Sequence, residues 1–202
     1  MQRRLWLAVI GTGGLLSAGG IAVLGRRATT TIATPEEDVC IVAPTFAYDP
    51  ASGLPPDAAR EVPPDARCPV CGMFPARARR WAAQVIFVDG DVQYLDSPLS
   101  LFHYLQRVNR YTPGRKLADI ATLYVSDQLS GHWLQADQAV YVHGSDRMGP
   151  MRSGNLPAFA DVASARAFID LHGGRTVTAV SLRKGLPADL QKLAPHAHDT
   201  PH

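Results

Sequence analysis

Sulfur-containing residues are scarce in this sequence, and most of them are grouped. The 202 residues include only three cysteines and four methionines, one of which is Met1. Three cysteines cannot all pair with one another, so at least one is free, bound to a metal or bonded to another chain. No more than one internal disulfide is possible, which excludes a scaffold built from several disulfides.

The signatures of common enzyme classes are also missing. No Ser-His-Asp order, pair of catalytic carboxylates or phosphate-cradling glycine loop stands out in the chain. A large excess of positive charge is absent as well, because the net charge is +2. Setting aside the four arginines that flank the N-terminal apolar segment leaves 16 basic against 18 acidic residues, a net charge of −2. We therefore expect neither an enzyme nor a nucleic-acid binder, since the latter needs a broad basic face.

Only one long apolar run is present, at residues 5–24, with Thr12 and Ser17 as its only polar side chains. Its length is sufficient for a helix that crosses a bilayer. A cleaved signal peptide is the competing interpretation, and the cysteine that a bacterial lipoprotein carries after such a segment is missing. We predict that residues 1–28 anchor the chain in the cytoplasmic membrane by a single pass, with the folded domain on the periplasmic, extracytoplasmic side.

Two segments have the composition of extended chain. Residues 29–67 hold seven of the sixteen prolines, and we predict that they form a linker. Cys40, which lies within this segment, is most simply a lone thiol. Residues 187–202 form a polar tail that contains His196, His198 and His202, which could bind a metal loosely. A tail without fixed structure is the simpler interpretation.

The pattern of residues 68–186 predicts an α+β fold of two tandem ββαβ units, covering about residues 68–127 and 128–186. Hydrophobic periodicity and turn residues place strands at 81–88, 92–95 and 120–125, with a helix that starts at Pro98 after the N-cap Ser97. The second unit is predicted to contain a hairpin of 131–135 with 140–143, a helix at 164–171 and a strand at 176–182. Because a unit of about 60 residues buries a marginal core alone, the two units are expected to pack together.

The central motif is Cys68-Pro69-Val70-Cys71-Gly72-Met73, which places two thiols and a thioether within six residues. A c-type haem site needs a histidine directly after the second cysteine, but Gly72 stands there. A structural zinc site usually needs four ligands, and no second Cys-x-x-Cys supplies the other two. A redox-active dithiol normally opens a helix, which Gly72 and Pro75 disfavour. Soft sulfur ligands select Cu(I), so the motif favours a copper loop in which Gly72 permits a tight turn.

The remaining ligand of such a site stays open. Cu(I) is satisfied by two or three soft ligands, so Cys71 and Met73 need one more group. The candidates are Cys68, Met148, Met151 and His143. The alternative for the cysteines is a Cys68–Cys71 disulfide, although a bridge over two residues would constrain the unfolded chain very little.

A second motif contains the other two methionines, in the stretch Gly144-Ser145-Asp146-Arg147-Met148-Gly149-Pro150-Met151. Its glycines and proline indicate a turn rather than a core helix, which makes metal contact by at least one methionine a candidate interpretation. Ordinary packing is the alternative for both side chains.

Five arginines lie close to the cysteines in sequence: Arg60, Arg67, Arg77, Arg79 and Arg80. Nearby cations lower the pKa of a thiol and favour the thiolate, which is the form that binds metal. A solvated basic loop without that effect is the equally simple interpretation.

In these motifs the chain resembles the NosL family, accessory proteins of nitrous oxide reductase maturation. The matching pieces are, in order, Cys68-Pro69-Val70-Cys71-Gly72-Met73, Ala83-Gln84, Asp89-Gly90, Asp96-Ser97-Pro98 with Phe102, Val125-Ser126-Asp127, Ser130-Gly131-His132-Trp133, Gly144-Ser145-Asp146, Met148-Gly149-Pro150-Met151, Pro157-Ala158-Phe159 and His172-Gly173-Gly174. They run from Cys68 to about residue 182 and so cover the whole predicted domain.

The resemblance implies an α+β fold of two ββαβ units, a Cu(I) site and copper delivery outside the cytoplasmic membrane. The family's Cys-Gly-Met ligands correspond to Cys71 and Met73. The implied partners are nitrous oxide reductase and the membrane machinery that loads it. Two other hypotheses stay open: a thiol-disulfide oxidoreductase that acts through Cys68 and Cys71, and a non-catalytic scaffold module.

Overall fold

The structure is a computed structural model, and it describes residues 43–152 and 154–192. The predicted membrane anchor, Cys40 and the histidines of the tail lie outside the described residues. Within the described ranges, no helix is both long enough and apolar enough to cross a membrane.

The first half of the domain has the predicted order of elements. Strands β1 (Ala83–Phe87) and β2 (Val92–Leu95) form an antiparallel hairpin, and helix α1 (Pro98–Gln106) follows. A short helix α2 (Val108–Tyr111) leads to β3 (Ile120–Ser126), which pairs antiparallel with the other side of β1. The capping prediction is confirmed, because the Ser97 hydroxyl accepts the Ser100 N–H at 3.2 Å.

The second half differs from the predicted unit in its strand pairing. It contains β4 (Trp133–Gln135), β5 (Val140–His143), β6 (Ala158–Phe159), helix α3 (Val162–His172), β7 (Arg175–Thr178) and helix α4 (Ala179–Lys184). Strand β4 joins the first sheet, in the order β2-β1-β3-β4, and β5 is the middle strand of a second sheet, in the order β6-β5-β7. The predicted hairpin of 131–135 with 140–143 is therefore wrong.

The reason lies in the connection after β4. The Ala136 N–H donates to the Leu123 carbonyl at 2.9 Å, which continues the β3–β4 ladder past the end of the strand. A tight turn then follows, in which the Ala139 N–H donates to the Gln135 carbonyl at 3.2 Å. This turn carries the chain to the second sheet instead of back along β4.

The predicted last strand, 176–182, is also wrong beyond its first half. Strand β7 ends at Thr178, and α4 begins there because the Thr178 hydroxyl accepts the Ser181 N–H at 3.3 Å as an N-cap. Ala179 and Leu182, which are three residues apart, are both buried. Helical spacing thus puts both side chains in the core, whereas a strand would put them on opposite faces.

The two halves share one core, as expected from their size. Phe102 of α1 packs edge to face on Tyr141 of β5, with 5.3 Å between the ring centroids. The buried cluster that contains Phe102 and Tyr141 also contains Cys68 and Cys71. Its other members include Leu95, Leu99 and Leu101. The cysteine loop is therefore attached to the main core and not to a peripheral flap.

Residues 43–67 are extended but packed, where composition alone indicated a linker. Phe46 forms an antiparallel bridge with Val92 at the edge of the first sheet. Val62 is buried in a second cluster with Ile86 and Tyr94. The Gln84 side chain accepts the Arg60 N–H at 3.0 Å and donates to the Arg60 carbonyl at 2.5 Å. This segment covers the face of the first sheet that points away from the main core.

The Gln84–Arg60 pair predicts a specific stability defect. Replacing Gln84 with Leu leaves a partly buried backbone N–H and C=O without partners, so the free energy of unfolding should fall by about 1–3 kcal/mol. Guanidinium denaturation measures this loss, and limited trypsin digestion should cut faster after Arg60. The exposed Gln138→Leu is the matched control and should change stability by less than about 0.5 kcal/mol. Equal stability of the two variants would contradict the role assigned to Gln84.

Candidate metal centre

The loop of residues 68–73 closes on itself by two backbone hydrogen bonds. The Cys68 N–H donates to the Met73 carbonyl at 2.9 Å, and the Gly72 N–H donates to the Cys68 carbonyl at 2.8 Å. Gly72 has a φ of 74°, a left-handed conformation that glycine adopts without steric cost. The turn predicted at Gly72 is thus present, and it holds both cysteines and Met73 in one short ring of backbone.

The three sulfur atoms of the loop lie at different depths. Cys68 is fully buried and Cys71 is 8% exposed, whereas Met73 is 40% exposed. Both cysteines are free thiols, so the structure contains no Cys68–Cys71 disulfide. The loop places two reduced thiols inside the protein and a thioether at its surface.

Asp96 is the residue of this centre that the sequence analysis missed. The Sγ atoms of Cys68 and Cys71 and one carboxylate oxygen of Asp96 all lie within 4.8 Å of one another. Asp96 is 1% exposed, and it directly follows β2 and precedes the N-cap Ser97. The available signal was an acidic residue at the end of a buried strand, but the Asp-Ser-Pro stretch drew attention as a helix start.

The Asp96 carboxyl group is incompletely satisfied by the protein. The Ser97 hydroxyl donates to Oδ1 at 3.4 Å, and Oδ2 is buried with no hydrogen-bond partner. A buried polar atom without a partner is unfavourable by about 1–3 kcal/mol. Such an oxygen beside two thiols is suited to a cation, so the donor set fits a bound metal ion.

The pKa of Cys71 is raised, whereas one of the two interpretations of the nearby arginines is that they lower the pKa of a thiol. The hydrogen bond with Cys68 raises the pKa of Cys71, and burial and the charges of Cys68 and Asp96 raise it further. A backbone hydrogen bond from Met73 acts in the opposite direction but is the smallest contribution. The Cys71 thiol is therefore protonated at neutral pH when no metal is bound, and a metal ion must displace its proton.

The methionine loop, residues 144–155, approaches the centre from the second half of the domain. Met151 is half-buried, and the Ser100 hydroxyl lies 4.0 Å from its Sδ atom. The Ser100 hydroxyl lies 3.3 Å from that of Ser97, which in turn contacts Asp96. Met151 is thus connected to Asp96 through two serines, whereas Met148 is 60% exposed.

The methionine loop is held by packing and by one buried amide. The Asn155 Nδ2 donates to the Ser145 carbonyl at 3.0 Å and also to the Arg147 carbonyl. A Cβ added at Gly149 would lie 3.7 Å from the Trp81 ring, and one added at Gly154 would collide with the Leu190 side chain. The loop therefore returns closely over the core and over the segment that follows the cysteines.

His143, the imidazole candidate for the third ligand, has other partners. Its Nε2 lies 2.9 Å from the Asp189 carboxylate, and its Nδ1 lies 3.4 Å from an Arg175 nitrogen. The structure accordingly brings Cys68, Cys71 and Asp96 together, connects Met151 to them, and leaves Met73 and Met148 at the surface.

The burial of the thiols predicts slow chemical modification. In a Cys40→Ser background, both remaining thiols should react with Ellman's reagent at least about tenfold more slowly in the native protein than in guanidinium chloride, because modification needs an exposed thiolate. Absorbance at the nitrothiobenzoate band measures both rates. Rapid release of two equivalents from the native protein would contradict the depth assigned to Cys68 and Cys71.

Comparisons with known proteins show what this chain is similar to. A family model described as NosL matches residues 59–185. The copper-binding lipoprotein NosL of Stutzerimonas stutzeri is 30% identical over 143 residues, which are 67% of this chain and 70% of that protein. The crystal structure of the copper chaperone NosL from Shewanella denitrificans superposes with a TM-score of 0.52 at 23% identity, over 62% of this chain and 96% of that one. The structural match supports the fold.

Proposed function

This chain belongs to the NosL family, and on that premise we propose that it is a Cu(I) chaperone that carries its ion at the cysteine loop. Cys71 and Met73 are the central ligands of this proposal, with Cys68 as the nearest further sulfur. The copper ion is cargo to be passed on and not a resident cofactor, so the domain needs no bond-making chemistry of its own.

The observation that carries the proposal is the buried pair of reduced thiols in the closed loop, with the Asp96 carboxyl group beside it. Thiolate and thioether groups are the ligands that Cu(I) prefers over harder donors. Asp96 is a poor ligand for Cu(I) by the same rule, but its partnerless oxygen favours a positive charge nearby. The centre thus combines soft ligands with an electrostatic preference for a cation.

The different depths of the sulfur atoms suggest how the ion leaves. Met73 is the exposed ligand of the proposal, whereas both cysteines are buried. A low-coordinate ion can accept an incoming soft ligand at the exposed side before it releases an old one. Met151 or Met148 would supply an additional sulfur from the methionine loop, and Met151 has the more direct connection to the centre through Ser100.

The rival hypothesis of a thiol-disulfide oxidoreductase is disfavoured by the environment of the thiols. A nucleophilic cysteine needs a lowered pKa and access to its substrate. Cys71 has a raised pKa and is 8% exposed, and Cys68 is fully buried. Burial protects both cysteines from exchange, and the raised pKa adds to this protection at Cys71.

Location and partners of the chain are proposed from its relatives and its N-terminal sequence. The Stutzerimonas stutzeri relative is a lipoprotein, and residues 5–24 of this chain have the length and composition of a membrane anchor. We infer a membrane-attached protein that works outside the cytoplasm. Nitrous oxide reductase and its membrane maturation machinery, or a related copper enzyme, are the partners that the family resemblance indicates.

A Cu(I) titration tests the copper proposal. The full chain in mild detergent is titrated anaerobically against a chromogenic Cu(I) chelator, beside Cys71→Ser and Met73→Leu. We expect about one tightly bound ion, with the affinity lowered at least about tenfold in either variant because each loses a soft ligand.

Cys40→Ser is the control for this titration and should bind Cu(I) as the unaltered chain does. Met148→Leu and Met151→Leu then identify the methionine that contributes from the second loop. Failure of the reduced, unaltered chain to compete with the chelator would reject the copper proposal.

The anchor proposal has a separate test. Deleting residues 1–28 should move the protein from the membrane fraction to the soluble fraction without lowering its Cu(I) affinity, because the deleted residues contain no sulfur ligand of the centre. Membrane flotation and alkaline extraction measure the distribution. Retention of the shortened chain in membranes would show that attachment does not depend on this segment.

A further inference from the structure

Phe74 directly follows Met73, and its ring is contacted by two guanidinium groups. The Cζ atoms of Arg67 and Arg77 each lie 4.3 Å from the centroid of the ring. Arg67 also donates to the Gly72 carbonyl at 3.5 Å, across the cysteine loop. Both arginines are exposed. Two cations are therefore held in defined positions beside the exposed side of the metal centre.

Positive charge is concentrated in the two sulfur-bearing parts of the domain. Residues 60–80 and 144–155 together contain seven arginines and three carboxylates. The rest of the described chain contains nine basic and eleven acidic residues. The two segments therefore have a net charge of +4, whereas the rest of the described chain has a net charge of −2.

This excess of positive charge already subtracts the three carboxylates of the two segments, and two of these carboxylates have identified partners. Glu61 lies 2.7 Å from Arg79, and Asp146 lies 2.9 Å from His172, so two of the three are already engaged. In residues 43–152 and 154–192, none of the exposed residues Arg67, Arg77, Arg147 and Arg152 takes part in an ion pair. We call Arg67 and Arg77, which both stack on the Phe74 ring, the arginine rim.

The rim has the chemistry of a surface that binds a protein transiently. Arginine, phenylalanine and methionine are enriched at protein interfaces. A guanidinium group that already stacks on a ring has a planar fork in place and loses less freedom when it pairs with a carboxylate. Uncompensated charge also accelerates the encounter with an oppositely charged partner.

The position of the rim relates it to copper exchange. The thiols are buried and Met73 is the exposed sulfur of the loop, so an acceptor that reaches the loop from solvent meets Met73, next in sequence to Phe74 and its two arginines. Any macromolecule that takes a ligand position at Met73 must therefore lie against part of the rim.

We propose that the arginine rim is the docking surface for a partner protein whose own metal-site entrance is lined by carboxylates. The role of this surface in copper exchange rests on the proposed copper function, but binding of a partner to the surface can be tested without copper. Phe74 positions Arg67 and Arg77, and the two arginines supply the charge that the partner recognises.

The test uses two fluorescein-labelled peptides that carry the same Met-Gly-Cys triplet. Three glutamates flank the triplet on each side in one peptide, and three glutamines flank it in the other. Anisotropy with the metal-free full chain in mild detergent should show that the glutamate peptide binds at least about tenfold more tightly at 20 mM salt. The preference should largely disappear at 500 mM salt, where charges are screened within a few ångströms.

The variants separate the rim from net charge. Arg67→Gln with Arg77→Gln should remove most of the preference, and Phe74→Leu should reduce it about threefold because the guanidinium groups lose their stacking surface. Arg166→Gln with Lys192→Gln makes the same charge change at exposed positions elsewhere and should leave the preference intact. Equal binding of the two peptides, or an equal loss in the control pair, would overturn the proposal.

Vesicles provide the remaining comparison. If the Arg67→Gln and Arg77→Gln pair lowers binding to phosphatidylglycerol vesicles relative to phosphatidylcholine vesicles but leaves peptide binding unchanged, the rim recognises lipid and the proposal is overturned. The Cu(I) titration reports separately on the copper function. A chain that binds no Cu(I) but keeps the peptide preference would reject the proposed function and retain the docking surface.

Discussion

Burial of Asp96 beside Cys68 and Cys71 is the constraint on which the metal centre depends. A carboxyl group and two thiols share a space that solvent does not reach, and one carboxyl oxygen has no partner there. The neighbouring Cys68, burial and Asp96 raise the pKa of Cys71, so a metal ion that binds there displaces a proton. The fold thus holds an unfavourable arrangement together by packing it into the main core.

The fold can hold this arrangement because its two halves are joined more closely than two tandem units would be. Strand β4 follows the first half in sequence and pairs with β3 of that half, so the chain enters the second sheet only at β5. Phe102 and Tyr141 then pack together in the shared core. Through this connection the methionine loop of the second half reaches Trp81 and Ser100 of the first.

The arginines near the cysteines act on the outside of the centre and not on its thiols. Arg67 and Arg77 stack on Phe74 at the surface, and the pKa of Cys71 is raised rather than lowered. Screening and distance limit what an exposed cation does to a buried thiol, whereas its field extends freely toward solvent. Positive charge at the surface and buried cysteines inside are compatible parts of one centre, with separate roles in approach and in retention of the ion.

The sequence by itself determined the features that depend on a few neighbouring residues. Ser97 before Pro98 specifies the start of α1, and Gly72 specifies the turn between Cys71 and Met73, because capping and left-handed backbone are decided by local hydrogen bonds and sterics. Only the tertiary structure decided that β4 leaves its own half, that residues 43–67 cover the first sheet, and that Asp96 joins the cysteines. These outcomes depend on which distant surfaces meet when the core is buried, and that contact has no signature in the spacing of adjacent residues.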